Sequence, residues 1–334
     1  MTSNRRSLKY LKPSRRAIQQ ELEAIRTHLH MKRLKSLVIT KEQFIDGVKT
    51  AIENESAYAA GRLGAAEEYW MYYALLRQQG KDSRAQRLET ELPHYFMNQT
   101  GLFPATAQFI QEYNQFYVGH LRTLDCIGLC YGQWELPLVR AYRLDQNARL
   151  VHYSQQEPDR SSPSREELCY LPLFAGKKVL IICPFGTLLA QRANKETFEA
   201  VWAKTGKKWF YPASVDALEF PYGFVLETQQ RYGTALRLFE NIAEQISRRD
   251  FDVALVAAAG LGTPIVSHVR SMGKVAIYMG GHLQILFGVL GKRWRDRRDW
   301  QERYFNDRWI DMPDAWKPKT LVQGVKVCDN GAYW

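Results

Sequence analysis

In FDVALVAAAGLGTPIVSHVRSMGKVAIYMGG, residues 251–281, two unbroken apolar runs flank a segment that opens on glycines and a Thr-Pro pair. FDVALVAAAG reads as a buried strand, a short apolar run bounded by turn residues. LGTPIVSHVRSMG reads as a helix, with Thr263 as its N-cap and Pro264 in the first turn, where a missing N–H costs nothing. KVAIYMGG reads as a second buried strand. Strands apolar on both faces, joined through a helix, make a parallel βαβ unit. Ligands bind such sheets at the carboxyl ends of their strands. Gly260 and Gly262 fall at one strand end, and Gly280 and Gly281 at the next.

The same alternation extends upstream. KKVLIIC (177–183) is a strand, and PFGTLLAQR (184–192) turns into a helix with Thr187 as N-cap. KWFYPAS (208–214) reads as a further strand, and YGTALRLFENIAEQISRR (232–249) as an amphipathic helix. LDCIGLC (124–130) is a buried strand, followed by a helix near WELPLVRAY. SRAQRLETELPHYFMNQTG (83–101) and TAQFIQEYNQFYVGHL (106–121) read as helical. SLVITKEQFIDGVKTAIENE (36–55) is a short strand and then a helix capped by Thr40. In SAYAAGRLGAAEEYWMYYALL (56–76) a strand meets a glycine turn at Gly61–Gly64 and passes into a helix. YSQQEPDRSSPSREEL (153–168) is the most loop-like stretch, either a boundary or an active-site loop. The fold class is therefore α/β: a Rossmann-like, mostly parallel sheet with helices on both faces and an N-terminal helical extension. Residues 1–50 read as that basic extension and residues 51–334 as the sheet domain.

The 334 residues are 46% hydrophobic and 24% charged, enough for a real core without disulfide staples. The five cysteines, Cys126, Cys130, Cys169, Cys183 and Cys328, are odd in number and scattered, which fits a reducing compartment. Cys126 and Cys130 share a strand face without any zinc-site spacing, so they read as buried thiols. The net charge of +11 asks for acidic company: nucleic acid, anionic lipid or a phosphorylated small molecule. No helix-turn-helix, zinc finger or RNP motif is present, so no nucleic-acid partner is expected. No apolar run reaches the roughly 20 residues of a membrane span, and the basic N-terminus lacks a signal peptide's apolar segment. The expectation is a cytoplasmic protein whose basic leader and 16–30 helix are solvated by default, with a partner-docking arm or peripheral contact with the inner face of the membrane as the alternative.

Five stretches have residues suited to chemistry. Gly260–Thr263 and Pro184–Arg192 place glycine turns at helix starts, where backbone N–H groups meet phosphate. In GRLGAAEE (61–68), Arg62 suits a diphosphate and Glu67 a divalent cation or a proton. By spacing alone these also read as tight turns and a surface ion pair. GGHLQILFGVLGKRW (280–294) joins Gly280 and Gly281 through a core-like ILFGVL to Lys292, Arg293 and Trp294. The terminal NGAYW has two aromatic residues, which suggests a tail tied down over the sheet.

Taken in order, these pieces resemble glycosyltransferases of the GT-D fold, especially relatives among bacterial surface-polysaccharide genes. The resemblance rests on Arg62-x-Gly64-x-x-Glu67, on Pro184, Phe185 and Gln191, and on the run Phe251 to Pro264. It continues through GKVAIYMGGHLQILFGVLGKRW (273–294), its most specific block, then Asn306 and Trp309, and the closing Tyr333-Trp334. It covers residues 50–334. It implies a nucleotide-sugar donor, usually a UDP-sugar, and transfer to a glycan or lipid-linked glycan acceptor. Implied donor-binding residues are Arg62, Gly64, Gly260, Gly262, Thr263, Gly280, Gly281, Gln284, Lys292 and Arg293, with Glu67 as catalytic residue or metal ligand. The family's Asp-x-Glu holds Mn²⁺ or Mg²⁺ at the diphosphate, and here Ala65 stands at the Asp position. His282 stands where relatives have a small residue. A pyruvyl or phosphoryl transferase with a similar sheet, and a non-catalytic nucleotide- or nucleic-acid-binding protein, are the alternative classes.

Overall fold

The computed structural model describes residues 28–157, 170–321 and 333–334. The leader, most of the 16–30 helix, residues 158–168 of the loop-like stretch, Cys169, Cys328 and residues 330–332 lie outside the described residues. Eight strands form one sheet: β1 (Val38–Ile39), β2 (Tyr58–Leu63), β3 (Cys126–Leu129), β4 (Arg149–His152), β5 (Lys178–Ile182), β6 (Ser214–Leu218), β7 (Val253–Val256) and β8 (Val275–Tyr278). Their order is β1-β4-β3-β2-β8-β7-β5-β6, and every pairing is parallel. A Rossmann-like α/β architecture is thus present. β2, β3 and β4 progress one way, while the later strands return to seat β8 beside β2. The β2/β8 junction is therefore a topological switch point, where a crevice opens beyond the strand ends.

The pleat divides the core between two faces. Ala59, Leu63, Ala254 and Val256 face one way, under α2 (Ala65–Gln78), α3 (Ala107–Leu121) and the helices Ala235–Ser247 and Gly262–Ser271. Trp70, Phe96, Tyr113 and Tyr117 pack edge to face within that layer. Tyr58, Ala60, Val253 and Leu255 face the other way, with Phe44, Leu189, Phe198, Trp202 and Trp294. A small parallel pair, Val289–Leu290 with Ile310–Asp311, closes that side. Asn306 and the Trp309 indole pin it by donating to the Val201 carbonyl, 3.3 and 3.0 Å away. ILFGVL is core, as read: Ile285, Leu286, Phe287, Val289 and Leu290 are buried.

The sheet crosses the boundary read at residue 50, because β1 pairs with β4 and the helix Lys41–Glu53 (α1) packs on the sheet. Thr40 caps α1 in a full capping box with Gln43. Thr40→Ala is expected to cost ~1 kcal/mol, read as a lower urea midpoint with an unchanged m-value.

Several local expectations need correction. Gly61, Arg62 and Leu63 belong to β2, paired with Ile127, Gly128 and Leu129, so the turn begins only at Gly64. KWFYPAS is not a strand: Pro212 has no N–H to donate, Tyr211 sits at φ 49°, and the ladder starts at Ser214. Residues 83–101 are helical, as read, but in pieces: the short α-helix Asp82–Gln86, a 3₁₀ turn at Glu89–Glu91 and a π-helix over His94–Gln99. Thr187 and Thr263 lie inside the first turns of their helices, and neither caps. Cys130 falls one residue beyond β3 rather than on it.

Candidate functional site

A two-lobed cleft opens at the carboxyl ends of the central strands. The polar lobe, of about 300 Å³, is lined by Arg62, Glu67, Cys130, Tyr153, His282 and Arg293, with Gly64, Arg297 and Trp294 at its margins. The adjoining lobe is mainly apolar, walled by Pro184, Phe185, Phe220, Tyr222, Phe224 and Leu261. Tyr278, Gly280, Gly281 and Tyr333 line both lobes.

Each wall has a local cause. β2 ends on Arg62-Leu63, so the Arg62 side chain leaves the sheet edge into the crevice. Its Nη1 donates to the Met279 carbonyl at 2.7 Å and its Nη2 to Glu157 Oε1 at 2.9 Å. Its guanidinium also lies 4.8 Å from the Tyr153 ring centroid. Burial pulls Arg62 toward losing its charge, but the Glu157 carboxylate together with Tyr278 and Cys130 more than offsets this, so its pKa stands above the ordinary value. Glu157 is 1% exposed, and its Oε1 also meets His282 Nε2 at 2.8 Å.

Gly64 is the N-cap of α2 and Glu67 is its third residue, so the carboxylate lies back over the helix start, near the backbone N–H groups of Gly64 and of Glu67 itself. Burial raises the Glu67 pKa, and these N–H groups together with Arg62 restrain the rise. A Cβ at Gly64 would come 2.6 Å from Glu67 Oε2, so only glycine leaves that oxygen its place.

Gly280 turns at φ +58°, a backbone region that favours glycine, with Arg62 Nη1 only 2.9 Å from where a Cβ would stand. A Cβ at Gly281 would meet Tyr333 and Trp294 at 2.8 and 2.9 Å. Both glycines therefore admit side chains from elsewhere to the cleft floor. Tyr333 is held by the buried Gln284, whose Nε2 donates to its carbonyl at 3.0 Å, and Trp334 packs on Tyr222 and Phe224. The aromatic tail is tied over the sheet edge, as its composition suggests.

Arg62, Gly64, Glu67, Gly280, Gly281 and Arg293 thus meet in one cavity. The other expected donor-binding residues do not line it. Gly260 packs on Leu102 and Thr100, and Gly262 on the Tyr278 ring, where a Cβ would clash at 2.7 and 2.5 Å. These glycines serve close packing. Thr263 is fully buried, and its hydroxyl donates to the Arg62 carbonyl at 3.0 Å, so it fixes β2 rather than meeting a ligand. Gln284 acts through Tyr333. Lys292 is exposed and outside the lining. Gln191 is likewise exposed, while its companions Pro184 and Phe185 line the apolar lobe.

Several contributors were not anticipated, among them Tyr278 and Cys130 of the polar lobe. Glu157 and Tyr153 come from the loop-like stretch, whose polar composition marks a loop but not which carboxylate turns inward. Arg297 lies one turn beyond Arg293, and it pairs with Asp299 at 2.7 Å.

The fit to Mn²⁺ or Mg²⁺ is poor on the described residues. No group of three or more His, Cys, Asp or Glu comes together among them. Glu68, the neighbour of Glu67, turns away to accept from the Trp134 N–H, and Ala65 offers no ligand. Burial lifts the thiols of Cys126 and Cys130 to about 12, so neither is a ready thiolate. No helix among the described residues is long and apolar enough to cross a membrane. Comparison with protein-family models, curated proteins and solved structures finds no match.

Proposed function

We propose that this protein is a glycosyltransferase that takes its sugar from a nucleotide-sugar donor, a UDP-sugar in the first instance, for transfer to a glycan or lipid-linked glycan. The observation that carries the reading is the division of one cleft into an aromatic, apolar lobe and an arginine-lined polar lobe that share Tyr278, Gly280, Gly281 and Tyr333. A nucleotide sugar has that division of character: a flat base at one end, a diphosphate and a hydroxyl-rich sugar at the other. The ordered motifs from Arg62 to Trp334 support the same reading.

Leaving-group charge has to be met as the anomeric bond breaks, and preorganised cations do this without reorganising. Arg293 and Arg297 at the cleft margin, and Arg62 at its floor, supply them. Because the described carboxylates do not fit a resident divalent ion, no step is assigned to one. Glu67 faces the sugar end, where a buried carboxylate stabilises positive charge developing at the anomeric carbon.

A thermal-shift panel of UDP-glucose, UDP-galactose, UDP-N-acetylglucosamine and GDP-mannose, run in EDTA and in Mn²⁺, tests the reading. One donor at 100 Kd is expected to stabilise by about 2.7 kcal/mol, and to do so in EDTA. Glu67→Gln is expected to keep donor binding and to lose at least about tenfold in UDP release. A panel with no stabilising nucleotide sugar refutes the assignment. Stabilisation by phosphoenolpyruvate, or by a polynucleotide with steep salt dependence, would favour the alternative classes.

A further inference from the structure

We infer that a partly buried aromatic face beside the cleft, formed by Tyr72, Tyr95 and Trp134 over Tyr69, seats the pyranose rings of a neutral oligosaccharide. On the reading of the cleft as a nucleotide-sugar site, that oligosaccharide is the acceptor.

The face belongs to the same sheet edge as the cleft. α2 starts directly after β2, and Trp134 stands in the loop after β3, the parallel neighbour of β2. Tyr69 and Tyr72 are three apart in α2 and so share one side of it. The Trp134 ring stacks on Tyr72, with centroids 5.3 Å apart and planes at 11°, and meets Tyr69 edge-on at 5.3 Å. Tyr95, from the π-helix, stacks on Tyr69 at 4.0 Å. Tyr69 is the foundation: it is buried, and its hydroxyl donates to the Leu88 carbonyl at 3.1 Å.

Two buried carboxylates hold the loop in place. Glu68 accepts from the Trp134 N–H, and Glu135 accepts from the Cys130 N–H at 2.6 Å. Cys130 lines the polar lobe, and a chain of four residues puts Trp134 within about 14 Å of it. A row of rings also leads back to the cleft. Tyr131 lies 4.6 Å from His152, and His152 lies 4.7 Å from Tyr153, which lines the same lobe.

The chemistry of the face selects its occupant. Tyr72, Tyr95 and Trp134 stay partly open to solvent, whereas a core ring such as Trp70 is fully covered. Among the described residues, the Tyr72 and Tyr95 hydroxyls and the Trp134 indole N–H make no hydrogen bond. Flat rings with wet polar tips match a ligand with an apolar C–H face and a rim of hydroxyls, which is a pyranose. Charge separates this ligand from a nucleic-acid base or a phospholipid. Cations stack on the row only at its inner rings among the described residues, Lys35 at Tyr131 and Arg62 at Tyr153. Trp134 is mounted on a carboxylate, and the turn Glu89–Glu91 follows the Leu88 that holds Tyr69. A phosphate chain needs counter-charge on its platform; a neutral sugar needs none.

The probes are cellopentaose, maltopentaose, mannopentaose and chitopentaose, added to the full chain. Binding is read by saturation-transfer NMR on irradiation of the aromatic protons, and Kd by titration at low and high salt. At least one probe is expected to receive saturation at its ring C–H protons, with a Kd that salt leaves unchanged. Trp134→Leu and Tyr72→Leu keep an apolar side chain but remove a flat face, and each should weaken that Kd about 5–10-fold. Trp134→Phe should recover part of the loss. Tyr211→Leu is the control: Tyr211 is 57% exposed on the loop before β6, at the opposite edge of the sheet, and its loss should leave binding at the wild-type value. Near-UV circular dichroism and the urea midpoint establish that each variant is folded. Folded Leu variants that bind within twofold of wild type overturn the inference, as does a wild type that binds none of the four sugars. Oligo(dT) binding that Trp134→Leu abolishes and that falls steeply with salt overturns it in favour of nucleic acid. Sugar binding with an unresponsive donor panel would uphold the site and defeat the transferase reading alone; donor binding without sugar binding would do the reverse.

Discussion

Arg62→Met should unfold some 3–5 kcal/mol more easily than wild type. The reason is what the arginine leaves behind. Glu157 is 1% exposed and lies against the Arg62 guanidinium at 2.9 Å and the His282 ring at 2.8 Å. Methionine fills a similar volume but donates nothing, so a buried carboxylate loses its permanent cation and the Met279 carbonyl loses its 2.7 Å donor. A second substitution separates this from simple loss of packing. Arg62→Met/Glu157→Gln removes the stranded charge and should recover more than half of the loss in urea unfolding. If the double variant were no more stable than Arg62→Met, the charge pair would not be the cause. Donor affinity should fall in both, because both lack a cation at the cleft floor.

Between pH 6.5 and 8.5 the protein should lose stability on the order of 3 kcal/mol. Two buried carboxylates beside the cleft are responsible. Glu68 is raised to about 7, by burial, against the restraining N–H groups of Trp134 and Glu135. Glu135 is raised to about 8, by burial and then by Glu68, with the Cys130, Tyr131 and Gly132 N–H groups opposing. The loop after β3 wraps these two side chains, and a Cβ at Gly132 would overlap the Glu68 carboxylate. Both folded-state values lie above the ordinary 4.5. The unfolded chain therefore releases its protons first, and the folded state is penalised progressively as pH rises toward about 8. Below pH 6.5 the trend is opposed by His120, which burial holds down at about 4, so its contribution is lost as pH falls. Working above 6.5 isolates the carboxylates. Glu68→Gln and Glu135→Gln should each flatten the slope of urea-derived stability against pH. A wild-type slope of zero or of the opposite sign would mean that the pair titrates normally.

The sheet was legible because of how parallel strands are buried. VALV in β7 and VAIY in β8 are covered on both faces, so they appear as unbroken apolar runs that a one-sided strand would not produce. The Thr40 cap was legible because a cap is a contact over three residues; its reciprocal partner Gln43 came only with the structure. Misreadings arose where the same local signal serves two ends. Gly260 and Gly262 have the spacing of a phosphate-binding turn, yet Leu102 and the Tyr278 ring occupy the space a ligand would need. Those neighbours are remote in sequence, and no local pattern reveals them. Lys292 and Arg293 are adjacent in sequence, but only Arg293 reaches the cleft.

What the chain's own order of residues determined was the alternation of strands and helices and the placing of glycines, Arg62 and Glu67 at strand ends, because burial periodicity and capping are local. What only the tertiary structure decided was which strand ends are neighbours. Insertion of β8 between β2 and β7 brings Arg62 to the Met279 carbonyl across 217 residues, and Glu157 to Arg62 across 95. Strand order follows from non-local packing of two faces of a sheet. The Arg62–Glu157–His282 cluster exists only once that packing is complete.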